Sequence, residues 1–289
     1  MDDSELHDFM PDKQLLKKAM ARSVVPEARA ILDSVAARLF ERLSLLTLSP
    51  SKIVDLGTGD ARHIRLLQQQ FKGAAVVGAD LSLPRLRHAS SNRRFWQKHP
   101  LLVCLDASRP LPLVDNSIDL VVSNMMLPWL GNAAGLVVEI NRVLVKEGAY
   151  FISTAGPDTL VELRHAWAEV DNSQHINLFL DMHDVGDMMV SSGMADPVMD
   201  TERITVTYSS VDALLDELVG LGFINVLCGR RKGLTSASVR QRLAANYPRN
   251  KEGGIDATLE LVVAHGWSGA PKLPVGEYRF DIDQLRNKK

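Results

Sequence analysis

The sequence predicts an α/β protein: a mostly parallel sheet with helices on both faces. Three observations predict it. Short, near-continuous apolar runs have strand length and β-branched content: "KIVDL" (52–56), "AAVVGAD" (74–80), "LLVCLD" (101–106), "IDLVVSN" (118–124) and "GAYFIST" (148–154). Helical patterns over 61–71, 84–97 and 133–145 separate most of them. Strands apolar on both faces need cover on both, and alternation with helices supplies it.

Each remaining element follows from its own pattern. Residues 1–50 read as helical, since "ARAILDSVAARLFERLSLL" sets Ile31, Val35, Leu39 and Leu43 at helical spacing against Arg and Glu. "NAAGLVVEINRVLVKEG" has a helical period expected to stop at its lysine and glycine. "PDTLVELRHAWAEV" reads as a helix opening on Pro and Asp, and "DMHDVGDMMVSSG" as another ending at Gly193. "RITVTYS" alternates like a strand, helices follow near 211–221 and 235–246, and "ATLELVVAHGW" (257–267) is a last strand. The division expected is an N-terminal helical lid (1–50), a main domain (51–267) with helical insertions at about 157–193 and 211–246, and a loose tail (268–289).

Composition narrows the function class. The chain has 289 residues, 46% of them hydrophobic, enough for a sizeable core, and a net charge of −2 gives no global basic field for nucleic acid. Cys104 and Cys228 lack metal or redox spacing, and Cys104 falls within a run expected to be a buried strand, which suits a reduced cytoplasmic setting. "MDDSELHDFMPDKQ" has no apolar core of a signal peptide, and no run approaches the ~20 apolar residues of a membrane span. A soluble cytoplasmic protein is expected.

The most informative stretch is "IVDLGTGDARH" (53–63), where an apolar strand runs into Gly57 and Gly59 and then a helix. Glycines at such a turn let a ligand approach the backbone. A dinucleotide pattern needs a third small residue at 62, where Arg62 stands, and no Walker Gly-Lys-Ser/Thr occurs. Asp80 ends the second strand, Asp106 and Ala107 follow the third, and Ser123 and Asn124 end the fourth. Any one could merely cap the next helix, but four polar strand ends in order point to a binding crevice.

These residues resemble the class I S-adenosylmethionine-dependent methyltransferases over roughly residues 50–155. The resemblance implies a Rossmann-like seven-stranded, mostly parallel sheet, with N-terminal helices and a helical insertion in the C-terminal half. It implies S-adenosyl-L-methionine as cofactor, with Asp55, Gly57 and Gly59 at its methionine end. Asp80 would hold the ribose, Leu81 would flank the adenine, and Asp106 and Ala107 would read the adenine edge. Asn124 and Met125 would floor the sulfonium. Ala61 replaces the third glycine of the family pattern.

From 150 to 265, "STAGPDTLVELRHAWAEVDNSQHINLFLDMHDVGDMM" and "GRRKGLTSASVRQRLAANYP" resemble the malonyl-acyl-carrier-protein O-methyltransferases of early biotin synthesis. A respiratory complex I assembly factor of the same superfamily, described as an arginine hydroxylase, is also similar and gives the alternative function. The aromatic "FGRAAxxY" opening of the biotin enzymes has no counterpart, since the first tyrosine is Tyr150.

The first reading implies a malonyl carboxylate as nucleophile, ionised at neutral pH, so catalysis reduces to alignment and exclusion of water. Trp129, Arg164 and His175 are the candidates to hold the carboxylate's other oxygen, each weighed against a plain structural role. His175, Asp181 and His183 in "HINLFLDMHD" have the residue types of a non-haem iron site, but helix capping explains the same residues, and no metal is expected. Two basic clusters lack acids: one holds Arg85, Arg87, Arg93, Arg94 and Lys98, the other Arg230, Arg231, Lys232, Arg240 and Arg242. The second, at Arg230, Arg231 and Lys232, is expected to dock an acidic acyl carrier protein. Aromatic interleaving for nucleic acid is lacking.

Overall fold

The computed structural model describes residues 10–21, 29–91, 100–233 and 235–269. Seven strands form one sheet: β1 (Lys52–Leu56), β2 (Ala75–Asp80), β3 (Leu101–Cys104), β4 (Ile118–Asn124), β5 (Leu144–Ala155), β6 (Met194–Tyr208) and β7 (Ile255–Ser268). Their order is β3-β2-β1-β4-β5-β7-β6. The first five run parallel, and β7 is antiparallel to both β5 and β6. The strand order reverses between β1 and β4, so a crevice opens beyond their carboxyl ends.

The helices are α1 (Lys13–Met20), α2 (Arg29–Ser44), α3 (Arg62–Gln70), α4 (Leu83–Ser91), α5 (Ala133–Val143), α6 (Val161–Ala168), α7 (Met182–Ser191), α8 (Val211–Leu221) and α9 (Ala237–Asn246). Neighbouring strand residues point to opposite faces, and each face has its own core. Val54, Leu56, Val121 and Ile152 pack on one side with Leu136, Val137 and Ile140 of α5 and with Val185 and Met189 of α7. Ile53, Leu120, Val122 and Phe151 pack on the other with Val35, Leu39 and Leu43 of α2 and with Ile64 and Leu67 of α3. Truncating a wholly buried leucine such as Leu39 costs about 2–5 kcal/mol. A third cluster joins α6, α8 and α9 to β7 through Leu163, Trp167, Leu214, Leu243 and Ala257.

Several elements differ from their sequence patterns. The helix expected over 133–145 stops at Val143, because Leu144 pairs with Ile118 as the first residue of β5. Glu147 then takes φ +63° within β5, where the register with β4 shifts between Leu144 and Ala149. The strand read from "RITVTYS" begins nine residues earlier, at Met194, because β7 pairs with it back to Ser268. Cys104 is exposed rather than buried, since β3 is an edge strand. Within the expected N-terminal lid, α2 belongs to the second core, while α1 joins none of the three clusters and buries only Leu16 and Ala19. Arg93, Arg94, Lys98 and the tail from residue 270 fall outside the described residues. Among those described, no helix is long and apolar enough to cross a membrane.

Candidate active site

The turn after β1 is built by backbone conformation. Gly57 and Gly59 have φ of +77° and +57°, a region costly for a residue with a Cβ. A Cβ on Gly57 would meet the Met126 side chain at 3.0 Å. Ala61, where the family pattern has its third glycine, also lies at φ +60°. The substitution therefore keeps the glycine conformation and carries its strain, of roughly 1 kcal/mol. Helix α3 starts immediately afterwards, at Arg62.

Asp80, at the tip of β2, ties this turn to the next. One carboxylate oxygen accepts from Gly59 N–H at 2.8 Å and the other from Ser82 N–H at 2.7 Å. Each oxygen keeps a second lone pair for an incoming hydroxyl. Asp55 is wholly buried. Its Oδ2 accepts from Thr58 Oγ1 at 2.6 Å, while its Oδ1 has no partner among the described residues. Burial pushes its pKa up, against the opposing pull of His63 and Thr58. Beyond β3, Asp106 accepts from the Ser108 hydroxyl and N–H, with the Lys13 ammonium 3.6 Å away. Burial opposes ionisation there, but Ser108 and Lys13 outweigh it and lower the pKa.

At the end of β4, Asn124 Oδ1 accepts from Ser153 Oγ, and its amide nitrogen lies 3.4 Å from His63 Nε2. Met125 is held at φ +55° by its N–H donating to Ser153 O at 2.9 Å. A cavity of about 320 Å³ joins these strand ends, lined by Gly57, Gly59, Asp80, Leu81, Asp106, Ala107, Asn124 and Met125, with Trp129 at one side. Helix α1 borders its mouth through Lys13, Leu16, Lys17 and Met20. Pro11 bridges to Leu227, Asp12 N–H donates to Val226 O at 2.7 Å, and Arg230 pairs with Asp12 at 3.2 Å, fixing α1 at that place.

The structure brings eight of the nine expected cofactor residues to the cavity wall, with Asp55 buried just beneath. Two of the three substrate candidates lie elsewhere. Arg164 donates to Pro157 O at 2.8 Å and Thr159 O at 3.3 Å, satisfying the turn before its own helix. His175 stacks on Trp167, with ring centroids 3.6 Å apart, and bonds to Asp171 at 2.8 Å. Neither lines the cavity. Trp129 does, but its indole N–H donates to Met125 O at 3.1 Å, so it offers a ring wall rather than a free donor. His183 bonds to Asp181 at the start of α7, as capping chemistry predicts, and is largely exposed. Among the described residues no three His, Cys, Asp or Glu side chains converge as a metal site. His63, Leu105 and Phe223 line the cavity without having been singled out from sequence. Only His63 carried a signal, as the fourth residue after Gly59 in the first turn of α3.

Known proteins match this arrangement. Residues 54–152 match the methyltransferase domain family. The chain is 38% identical over 276 residues to a malonyl-[acyl-carrier protein] O-methyltransferase of Gallionella capsiferriformans, covering 93% of this chain and 95% of that one. It is 36% identical to the protein of the same name from Laribacter hongkongensis, covering 91% and 92%. The chain belongs to the malonyl-[acyl-carrier protein] O-methyltransferase family. Solved structures agree at the level of fold. A Bacillus halodurans methyltransferase aligns with a TM-score of 0.58 at 17% identity, covering 82% of this chain and 100% of that one. The YcgJ protein of Bacillus subtilis aligns with a TM-score of 0.58 at 15% identity, covering 81% and 99%. As a member of this family the chain is an S-adenosylmethionine-dependent methyltransferase. The whole-length relatives favour this activity over the assembly-factor alternative.

The cavity fits S-adenosylmethionine on its own chemistry. The orphaned Asp55 Oδ1 gives the methionine ammonium's side of the ligand a buried anionic acceptor. Two glycines leave the backbone bare where the ligand's tail would lie. Asp80 and Asp106 are acceptors for ribose hydroxyls and an adenine amino group, and Leu81, Leu105 and Ala107 are apolar walls for the base.

Proposed function

We propose that this chain transfers the methyl group of S-adenosylmethionine to the free carboxylate of a malonyl group carried by an acyl carrier protein, an early step of biotin synthesis. The observation that carries this reading is the extent of the similarity. The general methyltransferase match stops at residue 152, whereas the malonyl-[acyl-carrier protein] O-methyltransferase relatives align over 91–93% of the chain. They therefore share the elements after residue 152, from which Leu221 and Phe223 reach the cavity wall.

The donor, when bound, supplies an electrophilic methyl on a sulfonium. The chain's residues do the rest. Asp80, held by Gly59 and Ser82, would receive the ribose hydroxyls without reorganising. Asp55 would counter the methionine ammonium, which relieves its uncompensated burial. Asn124 and Met125, locked by Ser153, would form the rigid floor under the reacting centre. The acceptor carboxylate is ionised at neutral pH, so no residue needs to remove a proton. Trp129 and Phe223, packed edge to face with centroids 5.1 Å apart, supply an apolar wall that keeps water from the transfer path. Helix α1, whose Leu16, Lys17 and Met20 line the cavity, would close its mouth. Complementation tests this reading. The gene should restore growth without biotin to a strain lacking its own malonyl-carrier methyltransferase, and an Asp80→Ala version should not.

A further inference from the structure

The cluster at 230–232 is a weaker docking surface for an acidic partner than its sequence suggests, because two of its three charges are already paired. Arg230 pairs with Asp12, leaving 18% of its side chain exposed, and Arg231 pairs with Asp171 at 3.1 Å. Charge is arranged differently at the cavity mouth. Helix α1, "KQLLKKAM", carries three lysines and no acid, and α4, "LPRLRHASS", carries two arginines and no acid. Their adjacency is fixed by contacts: Ser82 Oγ donates to Met20 O at 2.9 Å, at the end of α1 and the start of α4. At its other end α1 meets the loop after β3, where Lys13 donates to Ser108 Oγ at 3.0 Å. The helix thus crosses the mouth from Ser108 to Ser82. Its buried face is Leu16 and Ala19, while Lys13, Lys17 and Lys18 are exposed, as is Arg87 on α4. Arg109 beyond β3 is exposed too but pairs with Asp106 at 3.7 Å.

We propose that this rim, formed by Lys17, Lys18 and Arg87 on α1 and α4, is the docking surface for the acidic acyl carrier protein. The proposal rests on the function given above and assigns its partner a place. A chain of net charge −2 has no overall field to attract an anion, so a local cationic rim must do the steering. Its position serves the chemistry. A carrier seated on α1 sets its thioester arm directly over the cavity mouth, and its contact presses on the element that covers the cofactor. Lys13 is partly committed to Asp106, which leaves Lys18 and Arg87 as rim cations with no place in the cavity wall.

The test reverses Lys18 and Arg87 together (Lys18→Glu, Arg87→Glu). Methyl transfer is then measured on malonyl-carrier and on malonyl-pantetheine, which lacks the carrier and has no phosphate. KM for the carrier substrate should rise about tenfold at 50 mM salt, with kcat little changed. The difference should shrink toward twofold at 0.5 M salt, as screening removes rim electrostatics. Malonyl-pantetheine kinetics should stay within twofold, and Lys18→Ala with Arg87→Ala should give a smaller rise in the same direction. The reversal of Arg231 and Lys232 to glutamate should move carrier KM less than twofold. A carrier KM unaffected by the α1–α4 reversal, or one that follows the 231–232 reversal instead, overturns the proposal. Equal losses on both substrates overturn it too. Failure of the wild type to methylate malonyl-pantetheine and malonyl-carrier alike would refute the underlying function instead.

Discussion

The cleft and the helical layer over β7 hold their polar side chains in opposite ways. In the cleft they hang from the last residue of a parallel strand or the turn just beyond it, as Asp80, Asn124 and Asp106 do. Each is pinned by backbone N–H groups or hydroxyls, so that free acceptor capacity faces the cavity. In the layer of α6, α8 and α9 the polar groups satisfy one another locally. Arg164 turns to carbonyls of the preceding turn, and His175, Asp171 and Arg231 close a small network against Trp167. The lesson is that a polar group left with spare capacity beside a cavity is a candidate for function, and one whose partners are local is structural.

The two regions should therefore respond differently to substitution. The largest effect is expected from Asp80→Ala, which removes the ribose acceptor and frees Gly59 N–H. S-adenosylmethionine binding should weaken by about 1.5–3 kcal/mol, read by titration calorimetry. Arg164→Ala and His175→Ala should leave cofactor affinity and the malonyl KM within twofold while lowering the melting temperature. A tenfold loss of turnover in either, at full stability, would break the contrast.

Two aspartates sharpen it further, because their pH dependences have opposite signs. Burial raises the pKa of Asp55, so ionising it costs the fold stability, and that cost grows as pH rises from the unfolded pKa to the folded one and is complete above it. Asp55→Asn should stabilise the free protein at pH 7, with the gain disappearing toward pH 3. Cofactor affinity should fall in the same variant. Asp171 goes the other way. Burial opposes its ionisation, but bonds from His175 and Ser173 prevail and hold its pKa at about 2. Its stabilisation is present above pH 4 and lost as pH falls toward 2. Asp171→Asn should thus be less stable than the parent at pH 6 and equal to it near pH 2 in acid-unfolding curves.

The smallest effect concerns the glycine turn. Ala61→Gly should relieve the left-handed strain at φ +60° and raise stability by about 0.5–1 kcal/mol, net of the extra freedom of an unfolded glycine. Cofactor binding should be unchanged. A destabilised variant would mean that the Ala61 methyl, packed against the second core, outweighs the strain.

Much of the cleft was legible in the sequence for a physical reason. A parallel strand of known length fixes where its last residue lies, so Asp80 and Asn124 could be placed without knowing any packing. The alternation of strands and helices gave the sheet in the same way. Arg164 and His175 were misplaced because a helix position gives no direction until the neighbours are known, and their partners at Pro157 and Trp167 are tertiary facts. Cys104 was misread because nothing in "LLVCLD" says that the strand lies at a sheet edge. The charge on Arg230 looked available until Asp12, 218 residues away, was seen to take it.

The central claim is methyl transfer to a carrier-bound malonyl carboxylate. It is tested most directly with S-adenosylmethionine labelled in its methyl group, purified malonyl-carrier and the full-length protein. The account predicts one label per malonyl group, released by mild base as expected for a methyl ester, and none transferred to the carrier with its thioester arm unloaded. Label that appears on the unloaded carrier, or that resists base as an N-methyl group would, contradicts it.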